Sequence, residues 1–243
     1  ARRKGSLITR EDLGEARDKV MMGTVRSLAI RPEERHRLAI HESGHTAAAF
    51  YTPQADPLYK VTIIPRGHAL GGTHTLAESE RHTLDEDYLK GRLVTLLAGR
   101  AAEKLFLGTV SSGADDDIRR ATEIARSMVA RWGMTERIGP VDLRRSEDHP
   151  FLGQSIAQPR NYADATAAEV DEAVMEILRN AEAAAVDILQ EHRPSVESLV
   201  AALEEKETLD FDAIRRCLDP DSKVTPLRRE TRDPARIPPV RGG

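Results

Sequence analysis

The sequence predicts a mainly α-helical (α+β) domain with a small β-sheet or hairpin beside one of its helices. Apolar residues recur at helical spacing over most of the chain. Only residues 60–64 form a β-branched run bounded by turn residues, which is typical of a strand. The chain has 243 residues, 40% of them hydrophobic, which is enough for a sizeable core.

Capping residues and apolar stripes predict the positions of the helices. Thr9 and Asp12 match a capping box at the start of a short helix over residues 9–25. Pro32, a favoured first-turn residue, opens a second helix that must stop before Pro53. Further helices are predicted over residues 84–107, 115–132, 167–192, 195–205 and 210–218.

The remaining segments predict a hairpin, a loop and a tail. The strand at residues 60–64 is expected to pair with a partner at residues 72–76. Residues 141–163 lack periodicity and contain prolines and a glycine, so we expect a long loop. Residues 220–243 are rich in Pro, Arg and Gly and predict a disordered tail.

Composition excludes several kinds of partner and site. The net charge is -4 and the charges are of both signs, so no nucleic-acid partner is expected. Cys217 is the only cysteine, which excludes a disulfide framework and a cysteine-rich zinc site, so any metal must bind histidines and carboxylates. No stretch approaches the roughly 18 apolar residues of a membrane span. We therefore expect a soluble chain, with any membrane contact made through a segment outside it.

The run HESGH at residues 41–45 carries the main functional signal. Because positions i and i+4 share one face of a helix, His41 and His45 can direct their imidazoles at one cation, with Glu42 beside them. Zinc in such a site activates water and polarises a scissile carbonyl, and the glutamate takes the water's proton. The pattern predicts a metal hydrolase with Glu42 as general base. Gly44 in mid-helix indicates close approach by another segment.

A catalytic zinc needs a third protein ligand and one open position. Spacing alone does not choose that ligand, and the aspartates at residues 115–117 also fit ordinary helix capping. The candidates are His36, His68, His74, His82, Glu103, Asp115, Asp116, Asp117 and His149.

Several motifs together resemble one known family. HESGH is followed by VTIIPRG at residues 61–67, AGRAAE at residues 98–103 and SSGADDDIRRATEIARSMVARWGM at residues 111–134. In order and spacing they are similar to the peptidase domain of FtsH-type proteases, the membrane-tethered AAA+ zinc proteases of peptidase family M41. The resemblance covers about residues 8–218 and implies a helical metalloprotease domain at residues 31–219.

The resemblance also implies roles for single residues. Asp117, the last aspartate of the G-A-x-x-D element, would be the third zinc ligand beside His41 and His45. Glu103 would orient a ligating imidazole. The VTIIPRG strand would lie at the sheet edge beside the cleft and pair with an extended substrate, unless it is an ordinary core strand. Its residues in this role are Val61, Thr62, Ile63 and Ile64.

The chain departs from the family pattern at two places in the motifs. Ser43 stands where alanine is common, and ADDDI replaces an ASND-type element, so that Asp115 and Asp116 lie beside the implied ligand. Their negative charge is expected either to tighten metal binding or to compete for the metal.

The resemblance extends to partners and location. Residues 1–30 are similar to the last helix of an AAA+ lid module plus a linker. No G-x-x-x-x-G-K-[ST] loop is present, so ATP would bind only in an ATPase module outside this chain. The family implies polypeptide substrates, a homo-oligomer expected to be a hexamer, and a place on the cytoplasmic side of the bacterial inner membrane, with an organelle membrane as alternative.

Three functions are consistent with these observations. The main hypothesis is the zinc-dependent proteolytic domain of an ATP-dependent, membrane-tethered protease that degrades unfolded or extracted proteins. The alternatives are a stand-alone zinc peptidase without an ATPase and a catalytically silent assembly module. The helix at residues 9–25 favours the main hypothesis. The complete set of catalytic and ligand residues argues against a silent module.

Overall fold

The structure, a computed structural model, describes residues 9–25, 28, 30–65, 70–75, 83–143 and 162–221. The helices of these segments are α1 (Arg10–Met22), α2 (Pro32–Tyr51), α3 (Glu86–Leu107), α4 (Asp115–Ala130), α5 (Asp164–Glu191), α6 (Arg193–Lys206) and α7 (Phe211–Leu218). The strands are β1 (Leu58–Thr62), β2 (Gly72–Thr75) and β3 (Thr208–Asp210). A single 3-10 turn, Ser112–Ala114, leads into α4. The mainly helical fold with a small sheet is thereby confirmed.

Helices α2 and α3 pack side by side at the centre of the domain. The start of α3 is capped by Asp85, and its end is set by Gly108, whose φ of 70° is a left-handed conformation that favours glycine. Gly44 of α2 lies so close to α3 that a Cβ at this position would be 2.5 Å from the Ala98 carbonyl oxygen and 2.7 Å from the Ala102 Cβ. The close approach expected at Gly44 is therefore made by α3.

Two apolar clusters form the core. The first joins α2 and the second half of α3 to the end of α5, to α6, to α7 and to the sheet, and it includes Ala48 and Leu199. The second joins the first half of α3 to α4 and α5, and it includes Leu93, Met128 and Val174. Because α3 belongs to both clusters, it fixes α2 relative to α4.

Strand β1 is the central strand of an antiparallel sheet with the order β2-β1-β3. Val61 lies opposite Thr73 of β2 on one side and opposite Leu209 of β3 on the other. Thr62 is paired in the same way with Gly72 and Thr208. Both sides of β1 are thus occupied within the chain.

The expectation of an edge strand beside the cleft is therefore wrong. It concerned Val61, Thr62, Ile63 and Ile64. The physical reason is β3, a strand of three residues that the sequence patterns did not reveal. Beyond β1, the Ile63 N–H donates to the Glu207 carbonyl at 2.9 Å, so this pairing continues past the end of the strand.

The other sequence predictions of local structure agree with the structure to within a few residues. The capping box of α1 is present, because the Asp12 N–H donates to Thr9 Oγ1 and the Thr9 N–H donates to Asp12 Oδ2. Helix α4 ends earlier than expected, at Ala130, because the N–H of Trp132 already donates to the carbonyl of Ser127 in a closing turn.

Parts of three predictions lie outside the described residues. They are most of the loop at residues 141–163, the end of the second strand at residue 76 and the tail beyond residue 221. None of the described helices is both long and apolar enough to span a membrane.

We expect Gly44→Ala to lower the free energy of unfolding by about 1–3 kcal/mol, because its methyl group must push α2 away from the backbone of α3. The measurement is urea denaturation with a chelator present, so that metal binding does not contribute. Gly14→Ala is the matched control, because nothing lies within 4 Å of a Cβ at that position. Its free energy of unfolding should stay the same or rise slightly, since alanine favours a helix. Equal stability of Gly44→Ala and the unsubstituted protein would contradict the close packing described here.

Candidate metal centre

Helix α2 places His41, Glu42 and His45 in the interior of the domain. Their exposed fractions are 6%, 6% and 8%, although all three side chains carry polar or ionisable groups. The two histidines are one turn apart, and their rings meet edge to face with centroids 4.7 Å apart. Burial of such groups is costly unless they are paired or bind a metal.

Three ligand atoms converge at one point. The two Nε2 atoms of His41 and His45 are 3.0 Å apart, and Asp117 Oδ2 lies 3.3 Å and 3.2 Å from them. Ligand atoms about 2.0–2.1 Å from a tetrahedral zinc ion are about 3.3 Å from one another. The donor set of two imidazoles and one carboxylate therefore fits a zinc ion, with a fourth position left for water or substrate.

The other nitrogen of each ring is held by a fixed acceptor. His41 Nδ1 lies 2.9 Å from Glu103 Oε1, and His45 Nδ1 lies 2.7 Å from the Thr95 carbonyl oxygen. A carbonyl oxygen only accepts, so the Nδ1 of His45 must donate to it. The Nε2 lone pair of the neutral ring is then available to a metal.

Asp117 reaches the histidines from the first turn of α4. The 3-10 turn before this helix is capped by Ser111, whose hydroxyl oxygen accepts from the Gly113 N–H at 3.2 Å. A carboxylate in the first turn is also stabilised by the helix macrodipole. Burial raises the pKa of Asp117, but the hydrogen bonds and charges of His41 and His45 outweigh burial and lower that pKa well below its ordinary value.

The buried ionisable groups of the site shift one another's pKa values. Burial lowers the pKa of His45, but Asp117 and Glu42 act in the opposite direction, and the net effect raises this pKa to about 9. Burial raises the pKa of Glu42, and the neighbouring histidines and a hydrogen bond from Thr73 only partly oppose the rise. The negative charges of the site thus favour a cation among them.

Glu42 faces the open side of the site, next to strand β2. Thr73 Oγ1 lies 3.1 Å from Glu42 Oε2, within hydrogen-bonding distance. The segment 70–75, which contains β2, lines a cleft of about 1270 Å³ together with both histidines, Glu42 and Asp117. The general base predicted from sequence, the three candidate ligands and an extended segment therefore meet in one cleft.

Comparison with known proteins identifies the family. The model of peptidase family M41 matches residues 28–217. The chain belongs to peptidase family M41. The resemblance inferred from the motifs is thereby confirmed.

Three relatives of this M41 chain carry the name ATP-dependent zinc metalloprotease FtsH. The protein of Hahella chejuensis is 55% identical over 207 residues, which is 85% of this chain and 33% of that protein. The protein of Nitrosococcus oceani is 44% identical over 201 residues, 83% of this chain and 32% of that protein. The protein of Pelobacter propionicus is 41% identical over 210 residues, 86% of this chain and 34% of that protein. The chain thus spans about a third of the length of these relatives.

Several of the other candidate ligands of the M41 chain have different partners. Glu103 contacts the Nδ1 of His41, on the side of the ring away from the Nε2 atoms. His36 contacts Glu204 at 2.7 Å, and Asp116 pairs with arginines of its own helix. Among the described residues, His41, His45 and Asp117 are the group whose ligand atoms converge. His68, His82 and His149 lie outside the described residues.

Several residues of the M41 site gave no signal in the sequence. Thr73 and the Thr95 carbonyl reach the site through tertiary contacts, 31 and 50 residues from their partners. Gly99 is buried on α3 directly against the metal-facing nitrogens. A Cβ on Gly99 would lie 2.5 Å from His45 Nε2 and 2.6 Å from His41 Nε2. Gly99 belongs to the AGRAAE motif, but only the packing of α3 on α2 explains why this position holds a glycine.

We expect Gly99→Ala to lower zinc affinity at least about tenfold, because its methyl group would crowd the space in front of both Nε2 atoms. Metal-free stability should change by less than about 1 kcal/mol, since alanine favours the helix and the imidazoles can rotate. Chelator competition and denaturation of the metal-free protein measure the two effects separately.

Gly91→Ala, in the same helix, is the control for this substitution. Its methyl group would meet Thr52 Cγ2 at 3.0 Å and Gln54 Cβ at 3.4 Å, far along α3 from Gly99, so zinc affinity should be unchanged. If Gly99→Ala binds zinc as tightly as Gly91→Ala, the location given to the metal is wrong.

Proposed function

We propose that this chain is the proteolytic domain of a zinc-dependent endopeptidase, with zinc held by His41, His45 and Asp117 and with Glu42 as general base. The observation that carries the proposal is the convergence of three ligand atoms that lie 3.0, 3.2 and 3.3 Å from one another, beside a buried glutamate. The zinc named in the relatives and the membership of family M41 support the same conclusion.

The chemistry follows from the positions of the side chains. When bound, zinc lowers the pKa of a water molecule and polarises the scissile carbonyl. Glu42 accepts the proton of the attacking water and passes it to the leaving amine. The Thr73 hydroxyl lies 3.1 Å from Oε2 of the Glu42 carboxylate and helps to hold its orientation. Gly71 packs against Glu42, so the base is confined from the β2 side.

Glu103 and the Thr95 carbonyl hold the imidazoles in the orientation that zinc binding requires. Each fixes the Nδ1 of one histidine, so that both Nε2 atoms face Asp117. Glu103 is 1% exposed and accepts further hydrogen bonds from Arg37 and Ser111. We assign it an orienting role, as the resemblance implies, rather than a place among the ligands.

An extended polypeptide would bind along β2. Among the described strands, β2 is paired on one side by β1 and forms an edge of the sheet. The same segment lines the cleft and contacts Glu42 through Thr73. Addition of a substrate strand to this edge would bring a peptide bond past the proposed metal and base.

The finer features of the proposal rest on the family. We propose a division into residues 1–30, a lid-module helix with linker, a peptidase domain at 31–219 and a tail at 220–243, which the family match at residues 28–217 supports. The relatives' names support coupling to ATP hydrolysis outside this chain. Membrane tethering, a place at the cytoplasmic side of a bacterial inner membrane, a hexameric assembly and unfolded or extracted proteins as substrates complete the proposal.

Asp117→Ala should weaken zinc binding while leaving two histidine ligands, so that affinity falls at least about tenfold and the fold persists. Chelator competition followed by circular dichroism checks both parts. Asp116→Ala is the neighbouring control, because Asp116 pairs with Arg119 and Arg120 on the surface of α4. Full zinc retention in Asp117→Ala, or an equal loss in Asp116→Ala, would assign the third ligand to another residue.

Glu42→Gln should keep zinc and fold but lower proteolysis of an unfolded casein-like substrate at least about a hundredfold, because the amide cannot accept the water's proton. The measurement compares initial rates at equal zinc content. Thr46→Ser serves as a control in the same helix, since it keeps the hydroxyl that donates to the Glu42 carbonyl. Should Glu42→Gln cleave the substrate as fast as the unsubstituted protein, the assigned base is incorrect.

A further inference from the structure

Arg37 connects three parts of the site. It lies on α2, one turn before His41, and its guanidinium donates to Glu103 Oε2 at 2.7 Å. The same group donates to the Thr109 carbonyl at 3.3 Å and to Thr109 Oγ1 at 3.0 Å. One side chain of the histidine-bearing helix therefore contacts α3 and the segment that follows it.

The contact with Glu103 has an electrostatic reason. Glu103 is 1% exposed, and a carboxylate at that depth is costly unless it is paired and its oxygens accept hydrogen bonds. Its Oε1 accepts from His41 and from Ser111, and its Oε2 accepts from Arg37. Among these partners Arg37 is the one that is always charged. It therefore compensates the buried charge that orients His41.

The contact with Thr109 has a geometric consequence. Thr109 is the second residue of the short connection between α3 and α4, and Ser111, two residues later, also contacts Glu103. This connection ends in the buried Ala114, three residues before Asp117. The connection is short, and it is held at Thr109 by Arg37 and at Ser111 by Glu103. The position of Asp117 therefore depends on these two contacts.

We propose that Arg37 is a positioning residue of the metal centre, which keeps Glu103 against His41 and holds the α3–α4 connection so that Asp117 meets both histidines. The inference rests on the proposed zinc site. Arg37 touches neither the metal position nor the three ligand atoms, and it acts through Glu103 and Thr109.

The test is zinc affinity in Arg37→Met, which keeps the aliphatic length of the side chain and removes its charge and donors. We expect a loss of about 10- to 100-fold by chelator competition, the usual effect of removing a group that orients a ligand. Cobalt substituted for zinc should show altered visible absorption bands, since the ligand geometry changes. Arg35→Met is the control: Arg35 pairs with Glu207 near α6, so its loss should leave zinc affinity unchanged.

A double-substitution cycle shows whether Arg37 acts through Glu103. In a Glu103→Gln background, Arg37→Met should cost less affinity than in the unsubstituted protein, because the carboxylate is already absent and only the contact with Thr109 is lost. An equal loss in both backgrounds, or no loss in either, would overturn the proposal. If Arg37→Met does not fold, Arg37→Lys gives the same test, since a lysine cannot reproduce the planar fork that joins Glu103 to Thr109.

Failure of this inference is distinguishable from failure of the proposed zinc site. If the zinc site is wrong, His41→Ala retains the zinc affinity of the unsubstituted protein. If only the role of Arg37 is wrong, His41→Ala loses zinc affinity and Arg37→Met retains it.

Discussion

Helices α2 and α3 approach so closely that the packing leaves room only for glycine at two positions of their contact, and the proposed metal centre takes its shape from this approach. Gly44 lets the backbone of α2 lie against Ala98, and Gly99 leaves the space in front of the two Nε2 atoms free. The same contact brings the Thr95 carbonyl and Glu103 to the Nδ1 atoms of the histidines. Packing and ligand orientation therefore have one structural origin.

That packing places several ionisable groups in the interior, and their charges determine what the site can bind. Glu103 and Asp117 supply negative charge around two imidazoles, and the raised pKa of His45 and the lowered pKa of Asp117 both result from the attraction between these two side chains. A divalent cation would replace the proton shared within this group. Metal binding and the stability of the α2–α3–α4 arrangement are then linked, since the ligands come from two of these helices and Glu103 from the third.

The sequence predicted what depends on local spacing. The helix with HESGH, the capping box at Thr9 and the end of α3 at Gly108 follow from residues within a turn or two of one another. It did not predict β3, which is too short for a pattern, and the edge position of the strand after residue 60 came from the family resemblance alone, with a core strand as the alternative. Contacts such as Arg37 with Glu103, 66 residues apart, arise only from tertiary packing. The choice of Asp117 among the aspartates came from the family resemblance, because spacing left it open.

The most direct measurement of the central claim is a crystal structure of the zinc-loaded protein with anomalous diffraction recorded at the zinc absorption edge. We expect one strong anomalous peak about 2.0–2.1 Å from the Nε2 atoms of His41 and His45 and close to a carboxylate oxygen of Asp117, with Glu42 near the metal but not bound to it. A zinc peak coordinated by Glu42 or Glu103 in place of Asp117, or a peak remote from the two histidines, would contradict the claim.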